Sequence, residues 1–149
     1  MNIDKKLLNK LYEEAKRVSK QAYAPYSRFR VGAAILGQDG KIFSGTNVEN
    51  ASYGLAICAE RNAIFSGITQ GNKTIYALVI YTPTKTPTTP CGACRQVIRE
   101  FSENATIISI CDTEERLEMS IDAMLPRAFA SDNLAKKGGE KYGKRPAID

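Results

Sequence analysis

Between Asp4 and Tyr23, the apolar residues Leu7, Leu8, Leu11, Tyr12, Ala15, Val18 and Ala22 recur at steps of three and four, the stripe of an amphipathic helix. The segment at Pro25 ends that stripe. Val31 to Leu36 is a short apolar run, Gln38-Asp39-Gly40 is a turn signal, and Lys41 to Asn47 alternates in polarity; together they predict a β-hairpin. Helical composition returns from Cys58 to Ile68 and stops near Gly67 and Gly71. Ile75 to Tyr81 is β-rich throughout, which predicts a strand buried on both faces. Thr82 to Pro90 reads as a loop. Pro90 then precedes a second helical pattern, Cys91 to Phe101, a favoured place for proline because the first N–H groups of a helix need no intrahelical partner. Thr106 to Ile110 predicts a strand, Glu115 to Met119 another, and the stretch Ile121 to Phe129 contains a short helix interrupted at Pro126. No repeat and no long linker divides the chain. This order places helices on the faces of one mixed sheet of about five strands, an α/β fold built as a three-layer α/β/α sandwich.

Composition narrows the class. The 149 residues, 43% of them hydrophobic, suffice for one ordinary core and one domain, residues 1–135. No apolar run approaches the roughly 20 residues that span a bilayer, and Met1 to Lys10 is charged and amphipathic, unlike a signal peptide. The expectation is a cytoplasmic protein with no membrane partner, whose cysteines are thiols or metal ligands. The net charge of +5 is unevenly spread: residues 136–149 hold five basic residues against two acidic ones, which leaves +2 on the body. That segment reads as a basic C-terminal tail, a solvated end. A body charge of +2 with no Trp offers little to a polynucleotide, so no nucleic-acid partner is expected.

The informative residues are Cys58-Ala59-Glu60-Arg61 and Pro90-Cys91-Gly92-Ala93-Cys94-Arg95-Gln96, each where a helix is predicted to begin. The first turn of a helix has unpaired N–H groups and a partial positive charge, so a thiolate there is stabilised. Cys91 and Cys94, three apart, share one face of that turn, and Cys58 must reach them from elsewhere. Three sulfurs on one Zn²⁺ leave the fourth tetrahedral position for water, the open site of a catalytic rather than a structural zinc. Three thiolates also leave the centre with a net charge of −1. Arg61, three residues after Cys58, is placed to donate to a ligand sulfur, and Gln96 could donate similarly. Glu60 is not needed as a ligand, and a carboxylate beside the metal's water is a proton carrier.

A ligand two residues before a Glu, followed by a later Pro-Cys-x-x-Cys, is the pattern of zinc nucleobase deaminases, here with Cys rather than His as the first ligand. From the first helix to about Leu134 the chain resembles the homotetrameric zinc-dependent cytidine deaminases of the cytidine and deoxycytidylate deaminase superfamily. Four blocks carry the likeness: Ala24 to Ala34, Asn47 to Arg61, Pro90 to Gln96, and Leu125 to Phe129. The resemblance implies hydrolysis of cytidine and 2′-deoxycytidine in pyrimidine salvage, with one zinc per subunit on Cys58, Cys91 and Cys94. Glu60 would shuttle protons during hydroxide attack at C4. The resemblance further implies that Phe29 stacks on the pyrimidine, that Asn47 and Glu49 bind ribose hydroxyls, and that the backbone at Ala59 with Glu60 reads the base. Active sites of this family lie at subunit contacts, so Tyr53 and Phe129 are expected in a neighbour's pocket. Two departures stand out: Ala56 where the family often has Thr, and Arg127 where it usually has Gly.

Other readings exist for the same residues. Cys91-Gly92-Ala93-Cys94 alone matches a thioredoxin-like redox pair, and Cys111 could close a structural zinc site as a fourth sulfur. Cys111 ends an apolar strand, where a free thiol is ordinarily a small core residue. Deaminases of free bases or aminonucleoside antibiotics share the metal block and are expected to lack the Asn47/Glu49 pair.

Overall fold

The computed structural model describes residues 3–134, so the basic tail at 136–149 lies outside the described residues. Helix α1 spans Lys5–Ser19, capped by the Asp4 carboxylate, which accepts from the Leu7 N–H at 2.7 Å. Strand β1 (Gly32–Gly37) turns through Gly40, at φ 70, into β2 (Ile42–Thr46). A 3₁₀ turn, Tyr53–Leu55, leads to α2 (Ala59–Thr69), then β3 (Ile75–Tyr81), α3 (Gly92–Phe101) and β4 (Thr106–Ile110). β5 (Arg116–Ser120), a four-residue helix α4 (Ile121–Met124) and a second 3₁₀ turn (Ser131–Leu134) complete the order.

The sheet runs β2-β1-β3-β4-β5. β1 is antiparallel to β2 and β3, β3 is parallel to β4, and β4 is antiparallel to β5, so the sheet is mixed, with five strands. Alternation along the central strands divides the core in two. Ala33, Ile35, Leu78, Ile80 and Ile107 pack with Ala63 and Ile64 of α2 and Ile98 of α3, whereas Ala34, Leu36, Ala77, Val79, Ile108 and Ile110 pack with Leu11 and Ala15 of α1. Successive residues of a strand face opposite sides, so a strand covered on both faces is apolar at nearly every position. Each fully buried Leu or Ile contributes about 1.5–3 kcal/mol. The three-layer sandwich expected from the element order is the fold observed.

The main departure lies at the end of α1. The apolar stripe runs to Ala22, which is buried, but the helix stops at Ser19. Its last turn tightens, with Gln21 N–H donating to Val18 O and Ala22 N–H to Ser19 O, and Tyr23 N–H then bonds Asn47 O. That pairing is absent from the local pattern. The short helix expected within Ile121 to Phe129 is Ile121–Met124, ending before Pro126.

Register fixes where a site can form. Gly32 at the start of β1 pairs with Thr46 at the end of β2 and with Tyr81 at the end of β3. The segments before β1, after β2 and after β3 therefore meet at one end of the sheet. Gly45 brings α2 to the same place: a Cβ on it would lie 2.3 Å from Ala63 N and 2.9 Å from Ala59 O, both helix backbone. Among the described residues, no helix is long and apolar enough to cross a membrane.

Candidate active site

Cys58 and Cys91 are the residues that begin α2 and α3, and neither side chain caps its helix. N-cap positions favour oxygen acceptors that bond the first-turn N–H groups. A cysteine there leaves its sulfur free to face outward with the positive end of the helix behind it. Cys94 lies in the first turn of α3, fully buried. Val48 pairs with Ile57 in both directions, at 2.9 and 3.0 Å, which carries Cys58 to the sheet end where α3 begins.

The three sulfurs lie within 4.8 Å of one another, with Cys58 Sγ and Cys91 Sγ 3.9 Å apart. Two sulfurs each about 2.3 Å from a tetrahedral zinc stand about 3.8 Å apart. The donor set therefore fits zinc, and among the described residues the group contains no fourth ligating residue. Cys111 is turned elsewhere: its buried thiol contacts Thr113 Oγ1 at 3.2 Å and the carbonyls of Glu115 and Lys85 at 3.5 and 3.6 Å. This favours an open site over a closed Cys₄ centre, and it sets the Cys-x-x-Cys pair beside a third sulfur, unlike a simple redox pair.

Electrostatics agree with a cation at this point. The neighbouring Cys94 thiol, and then the Arg61 guanidinium, hold Cys58 down at about 5 despite burial. Cys94 is pushed far up by the same contact with Cys58 and by burial. Clustered sulfurs cannot all ionise unaided, and a dication removes that conflict. Arg61 Nη2 donates to Cys58 Sγ at 3.6 Å, as its spacing predicts, and its buried Nε has no partner among the described residues. Gln96 behaves differently. Its amide donates to Phe129 O at 2.9 Å, which corrects the expectation of a sulfur contact. The cause is tertiary: the 126–130 segment folds back across α3 and offers a carbonyl.

Glu60 is buried, and its carboxyl is pushed up chiefly by that burial, with the negative Cys58 adding to it. It lines a cavity of about 190 Å³ together with Cys58, Cys91, Ala59, Phe29 and Asn47. A raised carboxyl lining a cavity is suited to taking and returning a proton. Thr82, Thr88 and Thr89 form another wall, where the sequence pattern gives only a loop. Their signal was a run of Thr rather than a charge or a ring. Thr82 is fully buried and its hydroxyl bonds those of Thr84 and Thr88, so the loop is folded onto itself.

Glu49 stands in an adjacent cavity of about 340 Å³, beside Tyr26, Ser27, Tyr53 and Ala56. Tyr53 is 78% exposed and meets Tyr26 edge-on at 6.0 Å. Phe129, 59% exposed, lines neither cavity. Arg127 is held at φ 55, the left-handed region where glycine is at ease, which accounts physically for the Gly that the resembled family usually has there.

Comparison with known proteins agrees with this geometry. The family model described as the cytidine and deoxycytidylate deaminase zinc-binding region matches residues 5–110. A cytidine deaminase of Sporosarcina psychrophila is 40% identical over 129 residues, 86% of this chain and 95% of that protein. One from Halalkalibacterium halodurans is 42% identical over 125 residues, 83% of this chain and 95% of the relative. Among solved structures, the cytidine deaminase of Burkholderia pseudomallei superposes with a TM-score of 0.78 at 44% identity, covering 81% of this chain and 98% of its own. That of Mycobacterium tuberculosis gives 0.74 at 37%, covering 87% and 99%.

Proposed function

The chain belongs to the cytidine and deoxycytidylate deaminase family, and from that premise we propose that it hydrolyses cytidine and 2′-deoxycytidine to uridine and 2′-deoxyuridine with release of ammonia. The observation that carries this reading is the buried Glu60 carboxyl lining the same small cavity as Cys58 and Cys91, two of the three clustered sulfurs. Cys58, Cys91 and Cys94 hold one zinc. When bound, the metal supplies Lewis acidity toward water at neutral pH.

The chain's own groups do the rest. Glu60 accepts a proton from water and delivers it to N3, where it stays in the product. As the C4–O bond forms and the C4–N4 bond breaks, Glu60 passes the second water proton to N4, which leaves as ammonia. Arg61 withdraws charge from Cys58 and offsets the excess of thiolate. In this reading Phe29 stacks on the pyrimidine, the Ala59 backbone reads the base beside Glu60, and Asn47 and Glu49 bind the ribose; that Phe29, Asn47, Ala59 and Glu60 line one cavity supports it.

A cavity of about 190 Å³ is small against the roughly 300–1,000 Å³ of typical ligand pockets. Exposed Tyr53, Leu55 and Phe129 supply apolar surface beyond it, which supports a homotetramer in which neighbouring subunits complete each pocket. The setting is cytoplasmic pyrimidine salvage, with free nucleosides as the only substrates.

The test is ultraviolet loss of cytidine with zinc quantified on the same sample. Wild-type protein is expected to turn over with one zinc per chain, and Glu60→Gln to keep zinc and fold while losing about 10²–10⁴-fold in kcat. Zinc-loaded wild type that leaves cytidine and deoxycytidine unchanged overturns the proposal.

A further inference from the structure

Phe29 sits in a loop, residues 24–31, that belongs to neither helix nor sheet; within it Arg28 N–H bonds Ala24 O at 3.0 Å, and Arg28 is held at φ 57. A non-glycine residue in the left-handed region persists only where its surroundings impose it. Two side chains from the segment after β2 do so.

Asn47 acts as a substitute peptide group. Its Oδ1 accepts from Val31 N–H at 2.8 Å while its Nδ2 donates to Phe29 O at 2.8 Å. Its backbone N–H also reaches Val31 O at 3.3 Å. The amide thus prolongs the β1–β2 ladder past the Gly32–Thr46 pair, with one acceptor and one donor where a strand would offer the same. Glu49 does the complementary task. Its carboxylate, an acceptor only, gathers three donors: Tyr26 N–H at 2.9 Å, Ser27 N–H at 3.2 Å and the Ser27 hydroxyl. Ser27 Oγ in turn accepts from Phe29 N–H at 3.0 Å. Both backbone polar groups of Phe29 are therefore held, the N–H through Ser27 to Glu49 and the carbonyl by Asn47. These contacts also lower the Glu49 carboxyl, the Ser27 bond first and then the backbone N–H groups of Tyr26 and Ser27.

We propose that Ser27, Asn47 and Glu49 form a hydrogen-bonded clamp that fixes the loop bearing Phe29, and so act on the substrate as positioning residues for that ring as well as through any hydroxyl they contact. The proposal rests on the reading above that Phe29 faces the pyrimidine. It adds a residue, Ser27, that joins the Glu49 carboxylate to the Phe29 N–H. It also separates two consequences of altering Asn47 or Glu49. Loss of a ribose contact harms only substrates that have the hydroxyls, whereas loss of ring placement harms every cytosine nucleoside alike.

The test compares kcat/KM for cytidine and 2′,3′-dideoxycytidine in wild type, Asn47→Ala, Glu49→Gln and the milder Ser27→Ala, with the dideoxynucleoside read as an inhibition constant if its turnover is too slow. Limited trypsin digestion read by mass spectrometry follows cleavage after Arg28 and Arg30 on the same zinc-loaded samples. The clamp predicts that Asn47→Ala loses about tenfold to a hundredfold on both nucleosides, that Ser27→Ala follows in the same direction, and that cleavage after Arg28 and Arg30 quickens in all three variants. A penalty confined to cytidine, or trypsin sensitivity unchanged from wild type, overturns it. A wild type inert toward both nucleosides refutes the deaminase reading instead, and the trypsin comparison then still judges the clamp.

Discussion

Arg61 shows how much one side chain can be asked to do. Three thiolates around a dication leave an excess negative charge, and the guanidinium 3.6 Å from Cys58 Sγ is the cation set against it. Holding Cys58 as a thiolate above about 5 means that metal need not displace a proton there at neutral pH. Without Arg61 the Cys58 thiol keeps the larger effect of Cys94 but loses that of the guanidinium, so it moves up and protons compete more with zinc as the pH falls. Arg61→Gln is therefore expected to bind zinc about 10–100-fold more weakly at neutral pH, with a steeper decline toward acid. Competition with a chromogenic chelator across that range reads both, and an unchanged affinity and slope would assign Arg61 to packing alone. The contact of Arg61 with Cys58 was visible in its spacing, since three residues along a helix fix a neighbour. That of Gln96 was not. Its partner, the carbonyl of Phe129, lies 33 residues away.

At the scale of elements, the position of α2 against β2 decides whether Cys58 arrives. A methyl group on Gly45 would meet Ala63 N at 2.3 Å, the Asn62 carbonyl carbon at 2.7 Å and Ala59 O at 2.9 Å, all backbone atoms that no rotamer change can clear. Gly45→Ala must push the start of α2 away from the sheet and Cys58 away from Cys91. The expected outcome is a loss of about 1–3 kcal/mol in denaturant unfolding together with reduced zinc content, and a variant with full zinc and wild-type stability would show that the helix is free to shift. Element type was readable because β1, β3 and β4 are apolar on both faces and α2 and α3 begin at their cysteines. The end of α1 was not, because the stripe continues to Ala22 while the backbone leaves the helix to pair Tyr23 with Asn47.

For the whole molecule, the feature that bears on assembly is the exposed apolar surface beside the pocket. Tyr53 and Leu55 are 78% and 66% exposed on a short 3₁₀ turn beside the adjacent cavity. If neighbouring subunits complete the site, light scattering gives the mass of four chains, and Leu55→Glu lowers both that mass and kcat/KM. A fully active single chain would reject the assembly. The sequence by itself pointed to the site: three cysteines and a Glu stand at two helix starts, because helix-start position and spacing are local properties that survive without knowing the fold. Only the tertiary structure decided that Cys58 lies 3.9 Å from Cys91, that Asn47 and Glu49 spend their hydrogen bonds on the Phe29 loop, and that Thr82 walls the pocket. Such pairings join segments distant along the chain, and a polar side chain takes whichever partner the packing brings within reach.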